Sequence, residues 1–129
     1  GTVTVPRLRR TAEFLRYRAA MEDVANLIRT MRHRAIAQHT TYELRVDAAR
    51  GVIALVETSV DARRPERVYR TIWLPAGLEI SEAPPVLTTS PNGTLAAVHV
   101  VVTAPAYDHH FLILTRPSGQ VELHKEPAL

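Results

Sequence analysis

Apolar residues recur with helical spacing in the first third of the chain. Neither Gly nor Pro occurs between residues 7 and 50, so nothing there interrupts a helix. The pattern predicts one long amphipathic helix from about residue 7 to about residue 38, because intervals of three and four residues place side chains on one face. The residues of this stripe are Phe14, Tyr17, Met21, Val24, Ile28, Met31 and Ala35.

After residue 40 the pattern changes to short runs rich in β-branched and aromatic residues. Residues 42–46 and 52–56 flank a short connection that ends in Gly51, which predicts a hairpin. A polar segment at residues 61–67 predicts a loop, and the residues with the strongest strand pattern are 95–103. Further strands are predicted at residues 68–74, 78–80, 86–89, 110–115 and 121–125.

This order of elements predicts an α+β domain. We expect a long N-terminal amphipathic helix packed against antiparallel β-sheets, with about seven short strands. A parallel sheet is excluded because its crossover connections need a dozen or more residues. We expect residues 1–39 to form a helical spine and residues 40–129 to form the β-rich part of the same single domain.

The sequence offers little catalytic chemistry. Without Cys, no thiol nucleophile or cysteine-ligated metal is present among the 129 residues. His33 and His39 are six residues apart on the predicted helix, unlike the i, i+4 spacing of helical zinc ligands. No Gly-x-Ser-x-Gly elbow or glycine-rich phosphate loop occurs. We therefore predict a non-enzyme with no catalytic residues, no metal, no cofactor and no small-molecule substrate.

Positive charge is concentrated in the predicted helix. The first 40 residues hold eight Arg against three acidic residues, and their guanidinium groups suit bidentate contacts with phosphate. A helix with this charge fits nucleic-acid binding or, in the simpler interpretation, a solvated face near membrane headgroups. Aromatic residues that could stack on bases are scarce. The candidate nucleic-acid contacts are Arg29, Arg32 and Arg34.

The apolar stripe divides into two predicted surfaces. A helix rises about 1.5 Å per residue, so its first half is expected to extend beyond the short strands. An apolar stripe left exposed in this way favours contact with a partner helix or a membrane. The predicted helix–helix assembly stripe is Phe14, Tyr17 and Met21. The predicted contacts from helix to sheet are Val24, Ile28, Met31 and Ala35.

Several short motifs, in a fixed order, carry a resemblance to a known family. Residues 3–8 are similar to the point where a pilin helix leaves the membrane, and residues 27–36 are similar to a Leu-x-x-x-x-Arg-x-x-Ala-Ile segment. Residues 74–77 and 90–94 follow as a Leu-Pro-x-Gly motif and a Pro-Asn-Gly turn, and residues 117–121 form a closing hairpin. Nearly the whole chain thus resembles the soluble part of a type IV pilin-like protein of the GspH/FimT family of minor pseudopilins.

The resemblance implies a minor pseudopilin of type II secretion, involved in protein secretion. It implies a periplasmic domain anchored in the bacterial inner membrane by a helix upstream of Gly1, with a methylated amino terminus, and assembly with other pseudopilin subunits. No run of 18 apolar residues occurs in the chain itself. Because Gly1 is not Met, we expect processing or truncation.

Two alternatives remain at this stage. One is a FimT-like minor pilin of a type IV pilus that binds DNA for natural transformation. Two residues depart from the family: Thr89 stands where Phe is frequent, and Gln120 where Arg is frequent. The second departure disfavours the DNA-binding version, which uses a basic C-terminal segment. The other alternative is a secreted lectin-like or hydrolytic β-domain.

Overall fold

The computed structural model describes residues 4–58 and 65–127, with side chains for residues 11–58 and 65–125. Val3 and most of the predicted loop at residues 61–67 lie outside the described residues. Within these residues a long helix precedes all the strands, as the sequence pattern predicts.

Helix α1 spans Thr4–Gln38, and its 35 residues give a length of about 52 Å. It begins three residues before the predicted start. At its other end His39 adopts a positive φ of 50°, and the Thr40 amide donates to the Ala35 carbonyl oxygen at 3.2 Å. This is the hydrogen bond of a Schellman motif, with His in the position that Gly usually occupies.

Eight strands follow within the described residues. They are β1 (Tyr42–Asp47), β2 (Val52–Glu57), β3 (Arg67–Trp73), β4 (Glu79–Glu82), β5 (Val86–Thr89), β6 (His99–Ala104), β7 (His109–Thr115) and β8 (Val121–Pro127). They form two four-stranded sheets with the orders β3-β2-β1-β5 and β4-β6-β7-β8. Every strand pair is antiparallel, which confirms the α+β prediction.

The strand predicted at residues 95–103 is wrong in its first half. Regular pairing begins only at His99, and before it Leu95 forms an isolated bridge with Thr89. The Thr115 hydroxyl donates to the Ala96 carbonyl oxygen at 2.6 Å and accepts from the Val98 amide at 3.0 Å. The Thr115 hydroxyl thus forms hydrogen bonds that the backbone of a neighbouring strand would form in a regular ladder. Prediction from β-rich composition alone therefore placed the start of this strand too early.

One hydrophobic core joins the helix to both sheets. Phe111 and Ile113 of β7 and Ile53 and Leu55 of β2 are fully buried in the same cluster as the helix side chains. Within the described residues, no helix combines the length and hydropathy needed to cross a bilayer.

Candidate assembly surface and groove

The first half of the predicted stripe is covered by the domain itself. Tyr17 is 4% exposed and Met21 is 0% exposed, and both belong to the core. The expectation that these two residues serve partner helices is therefore corrected. Two connections cover them: the turn at residues 75–77, which accepts a hydrogen bond from Tyr17, and the 3₁₀ helix Pro105–Tyr107, whose Tyr107 ring lies 5.8 Å from that of Tyr17.

Phe14 is half-buried one turn earlier. Its ring lies 5.4 Å from the His109 ring and 5.9 Å from the Phe111 ring. The Lys125 ammonium lies over its outer face, 4.5 Å from the ring centroid. Phe14 therefore packs in part against β7 and β8, and its contact with a partner helix stays a prediction.

The exposed apolar side chains of the helix lie off the predicted stripe. Leu15 is 56% exposed, and Ala12 and Ala19 are also exposed. Their spacing of three and four residues places them on one face. We call Ala12, Leu15 and Ala19 the outer helix face. The hydrophobic pattern of the sequence does not indicate this face, because two of its three residues are alanines.

The second half of the stripe lies against the sheets. The four side chains at these positions are 0% exposed and belong to the shared core: Val24, Ile28, Met31 and Ala35. Their spacing of three and four residues matches the side of α1 that packs on the strands.

Two of the three candidate nucleic-acid arginines donate to backbone carbonyl oxygens of the β-rich part. Arg29 donates to the Asn26 side-chain oxygen at 2.8 Å and to the Val121 carbonyl oxygen at 2.7 Å. Arg32 donates to the Gly93 carbonyl oxygen at 3.1 Å. A Cβ on Gly119 would lie 2.0 Å from Arg32 Nε, so Arg32 passes directly over the β7–β8 turn.

The third of these arginines packs on two aromatic rings. Arg34 Nε donates to the Tyr42 hydroxyl at 3.1 Å, and the guanidinium lies 4.2 Å from the Tyr69 ring centroid. The hydrogen bond with Tyr42 is the main cause that raises the pKa of Arg34. All three guanidinium groups are thus engaged inside the domain, where they fasten the helix to strands and turns.

A groove runs between α1 and β8. We call it the α1–β8 groove; its volume is about 510 Å³. Buried Ala25 and Phe111 and half-buried Leu123 supply apolar walls. The charged side chains around the groove are Arg18, Arg29 and Lys125, against one carboxylate from Glu22. Arg18 and Glu22 are 3.3 Å apart, and the groove is therefore net positive.

The outer face of the first sheet carries a second exposed apolar surface. Trp73 is 69% exposed. It pairs with Val52 in register, one residue from the buried pair Ile53–Ile72, so it points away from the core. Val86 of β5 points to the same side and is also exposed, although Arg45 and Asp47 of β1 lie between it and Val52. We call Val52, Trp73 and Val86 the outer sheet patch.

The described side chains do not gather a metal site, since no cluster of three or more potential ligands occurs among them. One ion-paired network lies beside the outer sheet patch: Arg45 contacts Glu43 at 3.0 Å and Glu66 at 2.9 Å. Hydrogen bonding to Arg45 lowers the pKa of Glu66.

The fold is similar to solved structures of minor pilin-like proteins. The minor pseudopilin EpsH from the type II secretion system of Vibrio cholerae aligns with a TM-score of 0.70 at 12% identity, over 84% of this chain and 95% of that chain. The type IV minor pilin FimU from Pseudomonas aeruginosa PAO1 aligns with a TM-score of 0.69 at 16% identity, over 88% and 92%.

No protein-family model matches the chain, and no curated protein is significantly similar to it in sequence. The structural likeness extends over the helix and both sheets, because it covers more than four fifths of each chain. The chain therefore has the pilin-like fold that these minor pseudopilin and minor pilin structures share.

Proposed function

We propose that the chain is a non-catalytic minor subunit of a pilin-type filament and, within that class, a GspH-like minor pseudopilin of type II secretion. The observation that carries the proposal is the pilin-like fold, together with an apolar face on its long helix that the domain leaves uncovered. The order of the short sequence motifs supports the same assignment.

Assembly would use the outer helix face. Ala12 and Ala19 are small, so a neighbouring helix can approach closely at these positions while Leu15 packs into it. Because Leu15 is 56% exposed, burying the rest of its side chain would contribute about half of the ~1.5–3 kcal/mol expected for a fully exposed leucine, before the cost of association. Phe14, Tyr17 and Met21 would support this face from inside by fixing the helix to its own domain.

The outer sheet patch would provide a second contact with neighbouring globular parts. Large exposed aromatic side chains such as Trp73 frequently dominate interface energies. A subunit with one surface on the helix and another on the sheet can contact neighbours along and around a filament. The partners would be other pseudopilin subunits in a hetero-oligomeric filament.

The proposal also includes location. The domain would lie in the periplasm and be anchored in the inner membrane by an apolar segment preceding Gly1, with a methylated amino terminus. Intact-mass measurement and N-terminal sequencing of the native protein from membranes of the source cell test this point. An apolar extension approaching the ~20 residues that cross a bilayer would support it, and a soluble native protein starting near Gly1 would contradict it.

A type IV minor pilin is the second candidate, because FimU has almost the same TM-score as EpsH. The DNA-binding type of minor pilin is less favoured, since Arg32 and Arg34 are half-buried and bind within the domain. Deletion of the gene in the source cell separates the candidates. Loss of protein secretion with normal piliation supports a pseudopilin, whereas loss of pili or of DNA uptake with normal secretion supports a pilin.

Photo-crosslinking tests the assembly surface directly. A photoreactive amino acid in place of Leu15 or Ala19 in the full-length protein should crosslink to other pilin-like subunits in living cells. The same amino acid in place of Ala37, which is exposed near the other end of α1, is the matched control. Equal crosslinking from Ala37, or none from Leu15 and Ala19, would reject the outer helix face as the assembly surface.

A further inference from the structure

Among the described residues, strand β8 is an edge strand of its sheet. It pairs with β7 on one side only. The Val121 carbonyl oxygen accepts from Arg29 of α1 at 2.7 Å, so the backbone at Val121 faces away from β7. Backbone groups alternate in direction along an antiparallel strand. The N–H and C=O groups of Leu123 and Lys125 therefore face the same free side as those of Val121.

That free edge lies along the α1–β8 groove. Leu123 and Lys125 both line the groove, with Ala25 of α1 and Phe111 of β7 forming buried apolar walls. Its volume of about 510 Å³ falls within the range of ordinary ligand sites. A main-chain segment entering here would meet backbone hydrogen-bonding groups on one side and a helix on the other.

The net positive charge of the groove favours a negatively charged ligand. Arg18 and Arg29 project from the helix and Lys125 from the strand, whereas Glu22 supplies the opposing charge. Arg29 is held by two uncharged partners, the Asn26 side chain and the Val121 carbonyl, and Lys125 lies over the Phe14 ring. Neither cation has its charge neutralised by these partners, so both remain available to a carboxylate.

We propose that the α1–β8 groove binds an extended acidic peptide segment of a partner protein, which adds as a strand to the free edge of β8. Main-chain hydrogen bonds to Leu123 and Lys125 would provide affinity, and Arg18, Arg29 and Lys125 would select carboxylate side chains. The inference does not depend on filament assembly, because it concerns a different surface from the outer helix face.

The geometry favours a peptide over a nucleic acid. The groove is bounded by buried apolar side chains and an unpaired strand edge, which match a polypeptide main chain. Nucleic-acid binding without sequence preference combines a basic path with exposed aromatic rings on which bases stack. The aromatic side chain in this groove, Phe111, is fully buried.

Fluorescence anisotropy with two labelled octapeptides tests the proposal. One alternates Glu and Val, and its control alternates Lys and Val, with the same strand propensity and the opposite charge. The 129-residue chain should bind the Glu–Val peptide at least about tenfold more tightly than the control. Replacing Arg18 and Lys125 with Ala should weaken that binding about tenfold, whereas replacing the exposed Arg50 and Arg70 should change it less than about twofold.

Amide chemical shifts of the unsubstituted chain report the position of binding without any variant. The Leu123 and Lys125 amides should shift and become protected from hydrogen exchange on addition of the Glu–Val peptide. The proposal is overturned by equal binding of both peptides, by absence of binding, or by shifts confined to other strands. It is also overturned if a duplex DNA or anionic lipid vesicles displace the peptide and shift the same amides, because a general anion site would then explain the groove.

Discussion

The Tyr17 hydroxyl donates a hydrogen bond to the Ala76 carbonyl oxygen at 3.2 Å and thereby ties α1 to a turn 59 residues later in the chain. The turn approaches closely because its next residue is Gly77, with φ +101°. A Cβ at residue 77 would lie 2.2 Å from the Tyr17 hydroxyl oxygen. This contact explains why the domain covers the helix as far as Tyr17.

Gly77→Ala should lower the free energy of unfolding by more than about 2 kcal/mol, since it combines an unfavourable φ with a steric clash. Gly51→Ala is the matched control. Gly51 also has a positive φ of 65°, but its nearest neighbour would be 3.8 Å from the new Cβ. Gly51→Ala should lower the free energy of unfolding by about 1–2 kcal/mol, because only the backbone conformation is unfavourable. Urea unfolding of both variants measures the difference.

Tyr17→Phe should cost about 1 kcal/mol through loss of the hydrogen bond. In this background Gly77→Ala should cost less than in the parent, because the hydroxyl that would be 2.2 Å from the Cβ is absent. If the free-energy costs of Tyr17→Phe and Gly77→Ala simply add in the double variant, then the clash with the Tyr17 hydroxyl does not contribute to the cost of Gly77→Ala.

Met21 and Leu15 should respond in opposite ways to truncation. Met21 is 0% exposed and Leu15 is 56% exposed. Met21→Ala should destabilise the domain by about 2–5 kcal/mol, whereas Leu15→Ala should change its stability by less than about 0.5 kcal/mol. If the proposed filament forms, the order of the two effects should reverse there, with Leu15→Ala reducing assembly while leaving the domain folded. Thermal unfolding and subunit crosslinking provide the two measurements.

The helix and its core side were readable from sequence because they depend on local spacing. Val24, Ile28 and Met31 follow the helical period and are fully buried. The same period continues through Tyr17 and Met21, so it could not show where coverage by the domain ends. That limit is set by the turn at residues 75–77 and by Pro105–Tyr107, which are distant in sequence.

The groove and the outer sheet patch were not predicted for a related reason. Arg18 and Lys125 lie near opposite ends of the chain, and only the pairing of β7 with β8 brings the strand beside the helix. Trp73 stands in an apolar run whose inner and outer faces depend on register. Its pairing with Val52 assigns it to the outer face. Ile72, Trp73 and Leu74 are consecutive apolar residues, so the sequence of β3 does not alternate and does not indicate which side faces the core.

The helix arginines should act through geometry more than through charge. Replacing Arg29, Arg32 and Arg34 with Lys preserves net charge but loses the hydrogen bonds to Val121, Gly93 and Tyr42. We expect a loss of roughly 1–3 kcal/mol in unfolding free energy. The matched control replaces the exposed Arg16, Arg50 and Arg67 with Lys.

Retention of duplex DNA at several salt concentrations distinguishes the alternative role. If these arginines serve as nucleic-acid contacts, replacing all three with Ala should reduce the salt dependence of binding. A Lys triple variant with full stability, together with DNA binding that is lost in the Ala variant, would contradict the structural role.

Two buried threonines should show opposite effects when replaced by Val. Among the described atoms, the Thr89 hydroxyl oxygen is buried without a hydrogen-bond partner, so Thr89→Val should be neutral or stabilise by up to about 1 kcal/mol. Thr115→Val should destabilise by about 1–3 kcal/mol, because the Val98 amide and Ala96 carbonyl lose their partner. Chemical denaturation of both variants tests the pair, and destabilisation by Thr89→Val would indicate a hydrogen bond at that hydroxyl.

The Arg45–Glu66 pair gives a prediction on pH. The Arg45 guanidinium donates to a Glu66 carboxylate oxygen at 2.9 Å, which lowers the pKa of Glu66 below its ordinary value of 4.5. A carboxyl whose pKa is lowered by folding stabilises the native state above its ordinary pKa, and that contribution is lost as the pH falls through the folded pKa. Both side chains are about half exposed, so the stabilisation should be small.

Carbon-detected NMR titration measures this effect at the Glu66 carboxyl. Arg45→Met should raise the pKa of Glu66 toward 4.5. The internal control is Glu122, whose pKa is lowered first by its hydrogen bond with His124 and also by Arg116, and it should titrate unchanged in the variant. If Glu66 keeps its lowered pKa without Arg45, another group must stabilise its carboxylate, and Arg45 would then hold Glu43 alone.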